Sequence, residues 1–235
     1  MSASEYGGGE LELFADANNW KAYFSGAISQ DLRGRVLEVG AGLGSTTLAL
    51  CRPGLECWDC LEPDSGLKGR LCDLLDRHSW PCPVRARVGT LSDLAENELF
   101  DTIVYIDVLE HIAEDRAELA LVARHLVSGG KVIILSPAFQ FLFSEFDAAI
   151  GHYRRYTKST LLTLTPPDLI PSASRYLDSV GLMASLANRV LLRASMPTRK
   201  QIQVWDKFMV PLSRILDRIV FFGFGRSIMA VWEKP

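Results

Sequence analysis

Three glycines, Gly40, Gly42 and Gly44, fall within five positions directly behind the apolar run that starts at Val36. Such a turn bares its backbone, so a ligand can lie against the main chain, and it allows conformations closed to other residues. Carboxylates stand around it: Glu38 inside the preceding run, Glu62 at the end of the next, and Asp107 closing "FDTIVYI". A carboxylate at Glu38 faces a cationic or hydrogen-bond-donating part of a ligand and repels a pyrophosphate. Glu62 holds the place from which an acid accepts both hydroxyls of a ribose. Further along, "GHYRRY" sets His152, Tyr153, Arg154, Arg155 and Tyr156 side by side. An imidazole among guanidiniums and phenols suits an oriented polar substrate. His152 is the candidate proton acceptor, and the alternative is a clamp in which Arg154 or Arg155 pairs Asp147.

An alternation of strands and helices has to position these groups. Strands are expected at "RVLEV", "ECWDCL", "VRARV", "FDTIVYI" and "KVIILS". Helices fall between them at "STTLALC", "SGLKGRLCDLLDRH" and "DRAELALVARHLV", the last stopped by Ser128-Gly129-Gly130. That rhythm predicts a parallel sheet covered on both faces. A helix over about 16–30 precedes it, with Trp20, Tyr23 and Phe24 on its apolar side. After Pro137 the pattern turns irregular and aromatic, then helical from about Thr157. A sixth strand at "ASRYLDSV", helices over about 181–195 and 200–219, and a last strand at "RSIMAVWEK" follow. The fold class expected is α/β, a doubly wound, mostly parallel seven-stranded sheet with helical additions as a cap. Residues 1–235 read as one domain, with 10–31 as an N-terminal helical lid and about 139–165 and 181–219 as cap and substrate elements. Residues 1 to about 9 are expected to be loose, and His78 and His125 to lie on the surface.

In an open parallel sheet, ligands bind beyond the carboxyl ends of the strands, near a topological switch point. The glycine turn, Glu62 and Asp107 all fall at such ends. For Asp107 the alternative role is a cap on the following helix. His111, at a helix start, is more readily a local hydrogen-bonding residue than a catalytic one.

The formal net charge of −3 gives no support for nucleic-acid binding. The cysteines Cys51, Cys57, Cys60, Cys72 and Cys82 are odd in number and scattered, which reads as reduced thiols. Cys57 and Cys60 form a CxxC without the second pair that a zinc site requires. "MSASEYGGGE" shows no basic segment leading into an apolar one, and Asn188, Arg189 and Arg193 interrupt the longest apolar stretch. A cytoplasmic protein without stable membrane insertion is the expectation.

The dinucleotide fingerprint G-x-G-x-x-G is not met, because Ser45 stands where its third glycine belongs. The constellation instead resembles the class I S-adenosylmethionine-dependent methyltransferases of the small-molecule branch, from about Trp20 to Trp232. "VLEVGAGLG" is similar to their first motif, "CLEPD" to the ribose-binding acid and its neighbours, and "VGTLSDL" to the loop that flanks adenine. "FDTIVYIDVLEHI" resembles their fourth-strand motif and "LVSGGKVIILSPA" the next strand. "SEFDAAIGHYRRYTKSTL" resembles a block of bacterial members with poorly defined substrates.

The resemblance implies S-adenosylmethionine as the methyl donor, a sulfonium with an amino-acid tail and no phosphate, which carboxylates suit. Its implied contacts are Glu38, Gly40, Ala41, Gly42, Gly44, Glu62, Pro63, Thr90, Leu91, Asp107 and Val108, with Trp20 and Tyr23 closing over them. His152, from the residue mix of "GHYRRY", and Asp107, which the resemblance puts beside the methionine portion and the acceptor, are the candidate catalytic residues. Glu110, His111, Tyr153, Arg154 and Tyr156 are the implied acceptor contacts. The acceptor is expected to be a small molecule, methylated on O, N or C. No Asp-Asn pair follows Asp107, so no metal is expected. A non-catalytic module whose helices over 181–219 form a homodimer face or touch a membrane, or a nicotinamide-dependent oxidoreductase, are the rival readings.

Overall fold

β-branched and aromatic residues cluster where the strands form. β1 (Arg35–Val39), β2 (Cys57–Glu62), β3 (Val84–Val88), β4 (Phe100–Ile106) and β5 (Leu126–Pro137) pair in parallel. β7 (Ser227–Glu233) runs antiparallel between β5 and β6 (Ile170–Leu177). The seven strands lie in the order β3-β2-β1-β4-β5-β7-β6. The computed structural model describes residues 9–189 and 197–235. Most of the stretch expected to be loose, and positions 190–195 of the helix expected over 181–195, lie outside them.

Every residue of β2 is buried, as is nearly all of β4, which requires cover on both faces. On one face, β1, β2 and β4 pack Val36, Trp58 and Val104 against α2 (Asn18–Ile28), α4 (Ser65–Arg77) and α9 (Arg199–Val204). On the other, Leu37, Ile103 and Tyr105 meet α5 (Asp115–Arg124) and α7 (Lys158–Leu164). The chain steps outward from β1 to β3 and returns to β4 beside β1, so the switch point lies between β1 and β4.

Two details differ from the sequence reading. α5 ends at Arg124, and Ser128-Gly129-Gly130 belong to β5 rather than stopping a helix. The reason is His125. Its backbone carbonyl accepts from Phe100 N at 2.8 Å and starts the ladder there. Its ring is buried, with Nδ1 2.8 Å from the Glu98 carbonyl oxygen, so it is not a surface residue.

Helices from before β1 and from between β6 and β7 meet on one face of the sheet. α1 (Gly9–Phe14) and α2 lie against a continuous helical run made of α9, a π-helical turn (Trp205–Met209) and α10 (Val210–Ile219). α2 has no cap from its own N-terminus. Asp206 supplies one instead: its Oδ1 accepts from Trp20 N at 2.8 Å, and its Oδ2 from Asn19 N and Nδ2 at 3.2 and 3.1 Å. Asp217, wholly buried, accepts from Tyr23 Oη at 2.7 Å and from the backbone of Asp178 and Ser179. Charge-assisted bonds of this kind are the strong ones. They fix the roof of the site described next.

Candidate functional site

A cavity of about 240 Å³ opens at the switch point. Its floor is Gly40, Ala41 and Gly42 behind β1, and one wall is Asp107, Glu110 and His111 behind β4. The segment after β5 brings Asp147, His152 and Arg155, and the roof is Leu11, Phe14, Trp20 and Trp205.

The floor is hung on the end of β2. Gly40 N and Ala41 N donate to the Leu61 carbonyl at 2.8 and 3.2 Å. Gly42 N donates to Glu62 Oε2 at 2.7 Å, and Asp64 N to Glu62 Oε1 at 2.9 Å. Glu62 is buried behind the turn and does not itself line the cavity. Burial pushes its pKa up, and the two backbone donors pull it down. Gly42 has a φ of +54°, and a Cβ there would stand 3.2 Å from Leu11 Cδ1. The bare floor therefore faces the roof helix directly. Gly44 serves packing: a Cβ there would meet the Leu74 and Leu71 side chains of α4 at 2.6 and 2.8 Å.

Glu38 lies below the floor rather than on it. It is buried, and its Oε2 accepts from Thr47 Oγ1 at 2.6 Å and Trp58 Nε1 at 2.7 Å. Its Oε1 has no partner among the described residues. Burial pushes its pKa up to about 7, against those hydrogen bonds. The folded protein thus binds a proton that the unfolded chain releases near 4.5, so the contribution of Glu38 to stability falls as pH rises from about 4.5 to about 7. Glu38→Gln should flatten the fall, which reaches at most about 1.4 kcal/mol per pH unit for one proton. Urea unfolding of both proteins at pH 5 and pH 7 checks it. Parallel pH dependence would show that Glu38 is ionised throughout.

Across the cavity, Asp107 takes a φ of +54° at the end of β4, with its backbone N bound to the Leu135 carbonyl at 2.8 Å. A non-glycine residue held there is strained, which is frequent at functional sites. Its side chain opens onto the cavity, yet the surrounding protein desolvates it and lifts its pKa to about 6, against the charges of His152, Arg226 and Arg155.

Beside it, His152 Nδ1 lies 3.0 Å from Asp147 Oδ1. Asp147 also takes both arms of Arg155, with Nε at 2.9 Å and a terminal nitrogen at 2.8 Å, and the Ser144 hydroxyl at 2.6 Å. Burial raises the Asp147 pKa, but these donors outweigh it and hold the carboxyl below its usual range. An ionised Asp147 makes Nδ1 of His152 the donor, which orients the ring with Nε2 as its other nitrogen. That atom lies 3.9 Å from Glu110 Oε1. The His111 ring packs edge-on to His152 with centroids 4.5 Å apart. Burial and His152 push the His111 pKa down to about 4, so it is a neutral imidazole at pH 7.

Of the residues expected at the site, Trp20, Gly40, Ala41, Gly42, Asp107, Glu110, His111 and His152 share the cavity. Glu38, Gly44, Glu62, Pro63, Thr90, Leu91, Val108, Tyr23, Tyr153, Arg154 and Tyr156 do not line it. Several of these face other partners. Tyr23 is turned to Asp217 and Arg154 to Asp115, while Tyr156 Oη binds Asp115 Oδ2 at 2.9 Å. Tyr153 is exposed, and its backbone N fastens the segment to the Glu110 carbonyl at 2.8 Å. Thr90 caps the turn over Leu91–Asp93 through Asp93. Of the two arginines considered as partners of Asp147, Arg155 is the one that pairs with it. Leu11, Trp205 and Arg226 enter the cavity without a local motif, since each comes from a distant part of the chain.

A search of curated proteins gives no match. A family model described as "Methyltransferase domain" matches residues 12–178. The N-methyltransferase NodS from Bradyrhizobium japonicum, solved with S-adenosyl-L-homocysteine, is 16% identical over 99% of this chain and 100% of its own, with a TM-score of 0.60. The [4+2]-cyclase SpnF is 13% identical over 100% and 97%, with a TM-score of 0.65. A protein from Haloferax volcanii, solved with the Trm112 methyltransferase activator, is 16% identical over the whole of both chains, with a TM-score of 0.63. At these identities the structural likeness is one of fold.

Proposed function

The chain belongs to the methyltransferase-domain family, the class I enzymes that use S-adenosylmethionine, and from that premise we propose that it methylates a small polar acceptor bound beside His152. The observation that carries this is the continuity of the cavity. One chamber joins the bare floor at Gly40–Gly42 to the polar wall of Asp107, Glu110, His111 and His152. The residues present fit the donor. The floor is free of side chains, the roof is aromatic, and the nearest charges include the carboxylates that an ammonium group calls for, with no phosphate cradle.

The donor, when bound, supplies an already activated methyl group. The chain's own residues align and exclude water. Gly42 leaves room over the floor, and Glu62 holds that floor in place through the Gly42 amide. Trp20 and Trp205, with rings 5.8 Å apart, close the roof. Asp107 offers a carboxylate to the donor's amino-acid end, and Nε2 of His152 faces the acceptor's nucleophilic atom. Alignment of this kind is worth effective molarities of about 10⁵–10⁸ M. The five free thiols support a reducing compartment such as the cytoplasm. Among the described residues, no helix is long and apolar enough to cross a membrane.

Titration calorimetry with S-adenosylmethionine tests the donor half of this reading. Glu62→Ala should weaken binding by about 1.5–3 kcal/mol, more than tenfold, as a charged acceptor is lost. Wild-type affinity in the variant would remove Glu62 from the site. Mass spectrometry of a metabolite extract incubated with enzyme and donor tests the acceptor half through a gain of one CH₂ on a small polar compound.

A further inference from the structure

Glu110 is the group the donor site leaves unexplained. Its side chain is 0% exposed, and neither carboxylate oxygen has a hydrogen-bond partner among the described residues. Burial, with Asp107 nearby, pushes its pKa well above the usual carboxylate range, and a buried polar group of this kind is costly until a hydrogen bond or an ion satisfies it. Glu110 is among the residues that border the cavity.

Two imidazoles converge on the same point. Glu110, His111 and His152 each offer one ligand atom, and these three atoms lie within 4.8 Å of one another. The outer nitrogen of each ring is already committed. His152 Nδ1 lies 3.0 Å from Asp147 Oδ1, and His111 bonds to the backbone of Gly151. A histidine whose far nitrogen donates to a carboxylate or a carbonyl has its tautomer and orientation fixed, and its near nitrogen is left as a lone pair.

We propose that Glu110, His111 and His152 form a binding site for a divalent first-row cation, with open coordination positions facing the acceptor. Two imidazoles and one carboxylate suit zinc, cobalt or manganese, whereas calcium and magnesium prefer oxygen ligands alone. Ligands at about 2.0–2.2 Å from an ion stand closer together than the present limit, so small side-chain rotations complete the site. The inference rests on the proposed function and deepens it. With the ion bound, Nε2 of His152 is a ligand and acts on the acceptor through the ion instead of taking its proton directly, which favours an acceptor that presents oxygen to the ion. The site departs from the expectation of no metal, which looked for an Asp-Asn pair and did not consider histidines from two separate segments.

The test uses the full chain stripped with a chelator. Cobalt(II) is titrated and read by its visible absorption, and zinc(II) by calorimetry. One cation per chain is the expected result. Asp147→Asn, which keeps the side chain's shape and weakens the outer anchor, should weaken binding about 10–100-fold, with a melting curve to confirm that the loss of the Arg155 pair leaves the chain folded. Glu110→Gln, close in shape and judged folded by its melting curve, should weaken it further. No cation bound, or binding unchanged in both variants, overturns the site. Calorimetry with S-adenosylmethionine on the same metal-free protein reads the donor separately. Donor bound with no cation bound fells the cation site alone. Donor not bound fells the proposed function on which it rests.

Discussion

Replacing Gly42 with valine should abolish S-adenosylmethionine binding while the protein stays folded. The residue sits at a φ of +54°, which a β-branched side chain adopts at a cost of about 1–2 kcal/mol. That strain is small against the stability of a domain of this size. The ligand fares worse. A Cβ at this position already reaches to 3.2 Å from Leu11 Cδ1, so valine's two methyl groups occupy the gap between floor and roof. Any shift of the backbone to relieve the contact also pulls Gly42 N from Glu62, whose carboxylate it meets at 2.7 Å. Calorimetry at millimolar donor should show no binding, and the melting curve should stay cooperative and move by a few degrees. Undiminished binding with a normal melt would place the donor elsewhere.

His152→Ala should slow methyl transfer by about 10²–10⁴-fold once an acceptor is in hand, the range expected when a positioned group that acts on the acceptor's proton is lost. The substitution removes the imidazole that Asp147 orients on the cavity wall, with Nδ1 3.0 Å from its carboxylate. It leaves the floor untouched, so donor affinity should stay within about twofold of wild type, a difference of roughly half a kcal/mol. Single-turnover rates at saturating donor separate the chemical step from product release. A rate within tenfold of wild type would make the segment around His152 a positioning element only. A parallel loss of donor affinity would show instead that the variant has disturbed the whole chamber.

The parts legible in the sequence are those whose cause is local. "RVLEV", "VRARV" and "FDTIVYI" form strands with the bounds their β-branched and aromatic residues suggest. The glycine turn stands where its spacing puts it, because backbone freedom belongs to the residues themselves. The parts that were not legible depend on partners far along the chain. Nothing near Glu38 announces that Thr47 and Trp58 take its Oε2. His125 looks like a polar helix position until Glu98 and Phe100 are seen to close over it. Tyr23 carries the aromatic character of a lid residue, yet its hydroxyl is spent on Asp217. The pairing of Arg155 with Asp147 was visible as a charge pattern, but which arginine would pair depended on a turn that fastens Tyr153 to Glu110.

The roof also fixes an order of events during synthesis. Trp20 is held by Asp206, 186 positions later, and Tyr23 by Asp217, 194 positions later. A growing chain emerges from the ribosome with the floor, β1 and β4 long before either aspartate exists. During that interval the apolar faces of α2 have no final partner, and the chamber stands open on one side. β7 is later still, and it must slide between β5 and β6 to complete the sheet. A chain cut before Asp206 therefore keeps every cavity residue of the central strands and yet leaves α2 without its anchor. The roof over the chamber is complete only once the chain has been made past Asp206 and Asp217.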